Sequence, residues 1–196
     1  MIELVTYKDK GFSLEELKAQ NFENATFTRC RFLKADFKFT TFRNCDFQIC
    51  DFTGSLFEAT NFSRCKFAES KMSYLDFGLA KFAECDFSET LLSYCTFHQL
   101  KAGSTYDRKK LDLRGCQFKK TDLKQTVFVF CDLSKVPFNG ADLEGVVFEK
   151  CKLIEADLSG CNLNGTSFEA SEVKKVILDV DGFLQFGSSK GFILLQ

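Results

Sequence analysis

The stretch CRFLKADFKFTTFRNCDFQICDF, residues 30–52, places Phe at 32, 37, 42, 47 and 52. Neither a helix nor a strand repeats every five residues. Stepping outward by five from Phe12 gives Leu17, Phe22, Phe27 and so on to Leu92 and Phe97, eighteen large apolar residues in a row. The register then slips by one. It resumes at Leu113 and runs through Phe118, Leu123 and Phe128 to Phe168 and Val173, thirteen more. Twenty of the 25 Phe occupy these centres.

Two residues before each centre lies a small one: Ala25, Cys30, Ala35, Thr40, Cys45 and onward to Cys161, Thr166 and Ser171. All ten Cys (30, 45, 50, 65, 85, 95, 116, 131, 151 and 161) fall in this slot. Residues two apart share one face of an extended segment, so the small and the large residue both point inward. The other two residues must turn a corner. A chain that extends, turns and extends again with one face always inward is a coil, whose backbone groups pair with the coils above and below. From 113 to 153 the centres alternate Leu and Phe, and only four sides stack like on like. The expectation is an all-β, right-handed quadrilateral β-helix of about eight coils, roughly 37 Å long at the strand spacing of about 4.8 Å.

The second array puts Gly115, Gly140, Gly145, Gly160 and Gly165 two residues after a centre, where a type II turn needs positive φ. The first array has Arg29, Lys34, Asn44, Tyr74 and Glu84 there, with Gly54 the exception, which predicts other turn types in that half.

The repeats ADLEG (141–145), ADLSG (156–160) and CNLNG (161–165), with CDFSE (85–89) and CDFTG (50–54), resemble the A(D/N)Lxx pattern of the pentapeptide-repeat family. The resemblance spans residues 10–175. It implies the same right-handed square solenoid and says little about function.

The reading divides the chain into one solenoid, 1–175, and a terminal element, 176–196. The solenoid comprises a first array (10–97), a loop or bulge (98–112) and a second array (113–175). The 16-residue step from Phe97 to Leu113 reads as three repeats plus one residue. Its basic and aromatic residues, Lys101, Tyr106, Arg108, Lys109 and Lys110, make it a candidate partner-binding loop. MIELVTYKDKG is the expected N-terminal cap, with one strand. At the other end Asp181 is expected to cap a short helix carrying Phe183, Leu184 and Phe186, followed by an extended stretch with Phe192. This element reads as a lid or a homodimer seam, and its apolar excess favours the dimer.

Composition narrows the chemistry. The net charge is −1 across 196 residues, giving no global pull toward nucleic acid or membrane. The N-terminus lacks a signal-peptide layout and no apolar run approaches a membrane span, so a reducing cytoplasm is expected. The one His, His98, points outward and excludes a multi-His metal site. The Cys lack CxxC spacing. Pairs 20 apart, such as Cys45 and Cys65, lie within disulfide reach in a four-sided coil. The compartment and their side-by-side direction favour apolar filling instead. The recurring Asp residues sit one before a centre, on the solvent side. No catalytic constellation and no cofactor is expected.

A rod without a reaction site points to protein binding. Length, central loop and apolar tail resemble the quinolone-resistance type of the family, of the Qnr, MfpA and AlbG kind. That likeness implies a type II topoisomerase as partner, protected by imitation of duplex DNA. Acidic candidates are Glu16, Asp36, Glu58 and Asp76 on one wall, sharing it with Lys18 and Lys38. Asp46, Glu69, Asp86 and Glu89 lie on another, against Arg29 and Lys66. DNA carries roughly 22 charges over such a length. Here residues 1–97 hold 14 acidic and 12 basic groups, and 98–196 hold 13 and 14, so the rod as a whole copies DNA poorly. The alternative is a general interaction scaffold using outward apolar sets: Phe39, Ala59 and Leu79; Tyr74 and Tyr94; Val127, Val129, Phe130 and Val147.

Overall fold

The computed structural model describes residues 5–98 and 110–195. The chain winds into a square β-helix. Its short strands are β1 (Thr6–Lys8), β2 (Asn21–Glu23), β3 (Thr26–Thr28), β4 (Thr41–Arg43), β5 (Asp46–Gln48) and β6 (Asn61–Ser63). They continue as β7 (Lys81–Ala83), β8 (Thr96–His98), β9 (Leu111–Asp112), β10 (Val127–Val129), β11 (Cys131–Asp132) and β12 (Val147–Glu149), before one helix, α1 (Val180–Ser189). Every pairing is parallel and offset by one coil: Phe27 faces Phe47, and Phe42 faces Phe62. Single bridges such as Asp36 to Leu56 join coils where no strand forms.

Four faces result, named here by their centres. Face I holds Phe12, Phe32, Phe52, Met72, Leu92, Leu123, Leu143 and Leu163; these eight layers span seven full turns. Face II holds Leu17, Phe37, Phe57, Phe77, Phe97, Phe128, Phe148 and Phe168. Face III holds Phe22, Phe42, Phe62, Phe82, Leu113, Leu133, Leu153 and Val173. Face IV begins at Tyr7 and continues through Phe27, Phe47, Phe67, Phe87, Phe118, Phe138, Leu158 and Leu178.

The lumen is apolar and largely aromatic. On face IV rings stack from Tyr7 through Phe27 and Phe47 to Phe67 at 4.9, 4.7 and 5.2 Å. Between faces they meet edge to face, as Phe42 and Phe47 do at 5.2 Å and 74°. Both geometries suit the quadrupole of the ring. Tyr7 is a centre that the count from Phe12 leaves out, so β1 belongs to the first coil.

The small slot does more than fill space. Its hydroxyls donate to the carbonyl of the centre one coil earlier: Thr60 to Phe37 at 2.9 Å and Thr90 to Phe67 at 2.8 Å. The thiols sit over the same carbonyls, Cys50 Sγ lying 3.3 Å from Phe27 O and Cys65 Sγ 3.5 Å from Phe42 O. All ten thiols are free and buried. Burial pushes those of Cys50, Cys95 and Cys161 up to about 12.

The corners correct one expectation. The slot two residues after a centre is left-handed through most of both arrays, with side chains of every kind, Leu14 and Leu79 being exceptions. Arg29, Lys34, Asn44, Tyr74 and Glu84 have φ of 51°, 55°, 53°, 62° and 55°. Gly54 and Gly140 take 72° and 69°. Gly115 is the reverse case: it is absent from the positive-φ set, and a Cβ there would stand 3.4 Å from the Glu84 backbone. What varies is how the corner closes. Phe32 O accepts from Ala35 N at 3.1 Å, a closed turn, whereas corners such as Phe27–Cys30 stay open and their centre lies in a three-residue strand. The Asp before many centres serves these turns, because Asp51 Oδ1 accepts the Thr53 amide at 3.0 Å and Asp157 Oδ1 that of Ser159 at 3.0 Å.

The break in rhythm is also simpler than three repeats plus one. Phe97 pairs with Phe128, Asp86 with Gln117 and Leu91 with Asp122, each 31 apart instead of 20. The register therefore gains eleven residues between the two arrays, and Leu113 is the next centre after Phe97.

Candidate interaction surfaces

With the lumen closed, function has only outward side chains to use. Face II gathers the first acidic set. Asp36, Glu58 and Asp76 line a groove with Leu56, Tyr74 and Leu79, floored by Ser55, Phe57 and Leu75. Glu16 lies one coil earlier on the same face. Basic partners neutralise much of it: Lys10 meets Glu16 at 3.3 Å, Lys18 meets Asp36 at 3.5 Å and Lys38 meets Glu58 at 2.7 Å. His98 Nε2 lies 3.1 Å from Asp76 Oδ1, and its ring packs over Gly78, where a Cβ would stand 2.2 Å from it. The Ser13 amide holds the Glu16 carboxyl below its usual range.

The second set lies on face IV and its corner. Asp46, Glu69, Asp86 and Glu89 surround Ile49 and Lys66. The ladder alternates Asp46, Lys66, Asp86 and Gln117 at successive coils, and Lys120 meets Glu89 at 3.5 Å.

Outward slots immediately before and after each centre separate the faces. Face II carries Glu16, Asp36, Glu58, Asp76, Glu149 and Glu169 against Lys18 and Lys38, a net of −4. Counted the same way, faces I and IV are −1 each and face III is +1. Face II and its two edges also bear the densest group of exposed apolar side chains among the described residues of the rod: Phe39, Leu56, Tyr74, Leu79 and Tyr94. Tyr74 and Tyr94 stack at 4.8 Å and 2° on one edge. On the other, Phe130 lies between Lys110 and Lys150 at 5.3 and 5.6 Å. His98, the last described residue before the candidate loop, lies on this face. The loop residues Lys101, Tyr106, Arg108 and Lys109 lie outside the described residues; Lys110 is described, and its ammonium donates to Lys150 O.

At the C-terminus α1 lies across the last coil. Asp179, not Asp181, caps it: Asp179 Oδ1 accepts from Gly182 N at 2.7 Å, while Oδ2 accepts from Gly160 N at 2.6 Å. The Asp181 position is instead in the first turn. Gln185 Oε1 accepts the Leu163 amide at 2.7 Å, and the Phe186 ring meets Phe168 edge-on at 5.7 Å. Phe186 thus packs under the lid, whereas Phe183, Leu184, Phe192, Ile193, Leu194 and Leu195 are exposed. Among the described residues no cluster of His, Cys, Asp and Glu could hold a metal ion, and no helix is long and apolar enough to cross a membrane.

Comparison with known proteins agrees with this geometry. A family model described as pentapeptide repeats (9 copies) matches residues 22–66, and one described as a pentapeptide repeat region matches 108–178. Full-length QnrB1, a plasmid-mediated fluoroquinolone resistance protein, superposes with a TM-score of 0.51 at 16% identity, covering 97% of this chain and 99% of its own. HetL, involved in heterocyst differentiation regulation in the cyanobacterium Nostoc sp., covers 90% of this chain and 88% of its own at 18% identity, with a TM-score of 0.39. A thylakoid-lumen protein of Arabidopsis thaliana covers 69% and 72% at 16% identity, with a TM-score of 0.37. No curated protein matches the chain. Repeat, register and family models together place the chain in the pentapeptide-repeat family.

Proposed function

We propose that this chain is a non-catalytic, protein-binding rod that engages its partner through face II. One observation supports this above the others: the face with the largest charge imbalance also carries the densest exposed apolar set. Such a surface suits a partner presenting basic and apolar groups together. The first partner to test is a type II topoisomerase, because the QnrB1 likeness suggests it and the acidic face would meet the basic DNA-binding surface of such an enzyme. Imitation of DNA is confined to this wall, since the other three are close to neutral.

The test is DNA supercoiling by gyrase with and without ciprofloxacin. Micromolar protein should change supercoiling or restore it in the presence of drug, and Tyr74→Ala with Tyr94→Ala should weaken that effect. Activity unaffected at every ratio removes the topoisomerase reading. It leaves the scaffold reading, which the Tyr74–Tyr94 stack and the Leu56–Leu79 groove support independently of any charge.

We further propose a homodimer through the exposed Phe183 and Phe192–Leu195. Sedimentation of the wild type and of Phe192→Asp decides it: a dimer converted to a monomer is expected, and a monomeric wild type removes the claim. The ten free thiols support a reducing, cytoplasmic setting.

A further inference from the structure

Face I ends at Leu163, where α1 takes the place of the next coil. Along the corner between faces I and II each amide is taken by a carbonyl one coil further on. Tyr74 N donates to Ser93 O at 2.9 Å, Tyr94 N to Lys124 O at 2.8 Å, Gln125 N to Glu144 O at 2.9 Å and Gly145 N to Asn164 O at 2.8 Å. Gly165 is the last of this column. The helix satisfies the amide just before it, because Gln185 Oε1 accepts from Leu163 N at 2.7 Å. Gly182 packs on the same leucine, where a Cβ would stand 3.6 Å from its side chain. The Gly165 amide gets no substitute. Among the described residues neither Gly165 N nor the Asn164 carboxamide forms a hydrogen bond, and both residues are exposed.

The chain holds a second Asn–Gly step, Asn139–Gly140, in the same setting. Each Gly sits at positive φ, 69° at Gly140 and 68° at Gly165, in a turn closed by Ala141 N to Phe138 O at 2.8 Å or by Thr166 N to Leu163 O at 3.1 Å. The two steps differ in what holds them. Gly140 N donates to Ser159 O at 2.9 Å. Asn139 Nδ2 donates to Asp157 Oδ2 and, at 3.0 Å, to Ser159 Oγ. The Asp181–Gly182 step in α1 is also held, its amide bound to Asp179 Oδ1 at 2.7 Å. Asn164–Gly165 alone of the three combines a free nucleophile with a free electrophile, and Gly adds no side chain to obstruct their approach.

We propose that Asn164 is a site of spontaneous deamidation, and that its conversion loosens the lid helix. Gly165 N attacks Asn164 Cγ, and the new C–N bond closes a succinimide ring. The side-chain nitrogen leaves as ammonia, carrying the proton of the Gly165 amide. Water then opens the ring, giving Asp at one carbonyl or isoaspartate at the other. Isoaspartate routes the main chain through the side-chain carbons and so lengthens it directly after Leu163, the residue on which Gln185 and Gly182 rest. Attack requires the Asn–Gly peptide to rotate. At both steps this opens the turn and the bond to the coil before, Gly145 N to Asn164 O or Lys120 N to Asn139 O. At Asn139 three further hydrogen bonds must open, those to Ser159 O, Asp157 Oδ2 and Ser159 Oγ. The proposal is independent of the partner-binding reading, because it uses no residue of the groove on face II.

The experiment ages the purified full chain at mildly alkaline pH, followed by peptide mapping with mass spectrometry. Trypsin places the two steps in different peptides, 136–150 and 153–174, and fragmentation separates Asn164 from Asn162. In the folded protein Asn164 should convert at least about tenfold faster than Asn139, given the three extra hydrogen bonds that guard the latter. In urea the two rates should become comparable. Hydrogen exchange in α1 should rise in the aged wild type and stay unchanged in aged Asn164→Gln, whose longer side chain closes its ring far more slowly. Equal rates at the two steps in the folded chain, or a difference that persists in urea, overturns the site. Unchanged exchange in α1 after Asn164 has converted overturns the loosening of the lid.

Discussion

Replacing Phe47 by Ala isolates the interaction on which the fold depends. The Phe47 ring is fully buried. It stacks on Phe27 at 4.7 Å and Phe67 at 5.2 Å and meets Phe42, Phe52, Phe32 and Phe62 at its edges, at 5.2, 5.4, 6.0 and 6.3 Å. Truncating a buried Phe costs about 3–5 kcal/mol, because transfer energy is lost and a cavity remains. Six ring partners place Phe47 at the top of that range, since each well-oriented aromatic pair adds roughly 0.5–1.5 kcal/mol beyond its buried area. The neighbours cannot collapse inward, being held in register by the ladders on either side. Chemical denaturation of Phe47→Ala should therefore show a loss of about 4–5 kcal/mol. Phe130→Ala is the control. That ring lies outside the lumen, at a left-handed corner with φ 54°, and its loss should cost about 1 kcal/mol or less. Equal losses in the two variants would refute the ladder as the source of stability.

Ile49 holds φ 55° at an exposed corner, so Ile49→Gly should raise stability by roughly 0.5–1 kcal/mol in the same assay, as left-handed strain is released against the added chain entropy of Gly. The Asp179 carboxyl is held below its usual 3.8 by the amides of Gly182 and Gly160. Its contribution to docking of α1 is therefore present above that value and lost as pH falls through the lower folded one; hydrogen exchange in α1 should rise selectively in acid, and Asp179→Asn should flatten that dependence. Asp51→Ala should destabilise by about 1 kcal/mol through loss of the Thr53 contacts, while Asp51→Asn retains most of it, measured by thermal unfolding.

Much of this architecture is legible in the sequence because the period is set by the lumen itself. Centres, small slots, four sides and parallel stacking all follow from residues five and twenty apart. Tyr7 escapes because it breaks the Phe and Leu rule while keeping the spacing. The corner conformation is misjudged from Gly because the ladders on both sides impose a left-handed residue regardless of side chain, as Ile49 and Tyr74 show. The helix cap moves from Asp181 to Asp179 because Asp179 also reaches the Gly160 amide, a tertiary contact that local spacing does not encode. Charge by wall was computable once the four faces were known, yet the pairing of Lys18 with Asp36 and of Lys38 with Glu58 required their side-chain positions.

Thiol accessibility in the native protein tests the square, closed lumen most directly. All ten Cys occupy inward slots under the coils, and burial raises the affinity of several for their protons. A thiol-reactive dye should find essentially none of them until denaturant unfolds the rod, and then all ten together. Rapid labelling of several thiols in the folded protein would contradict the account.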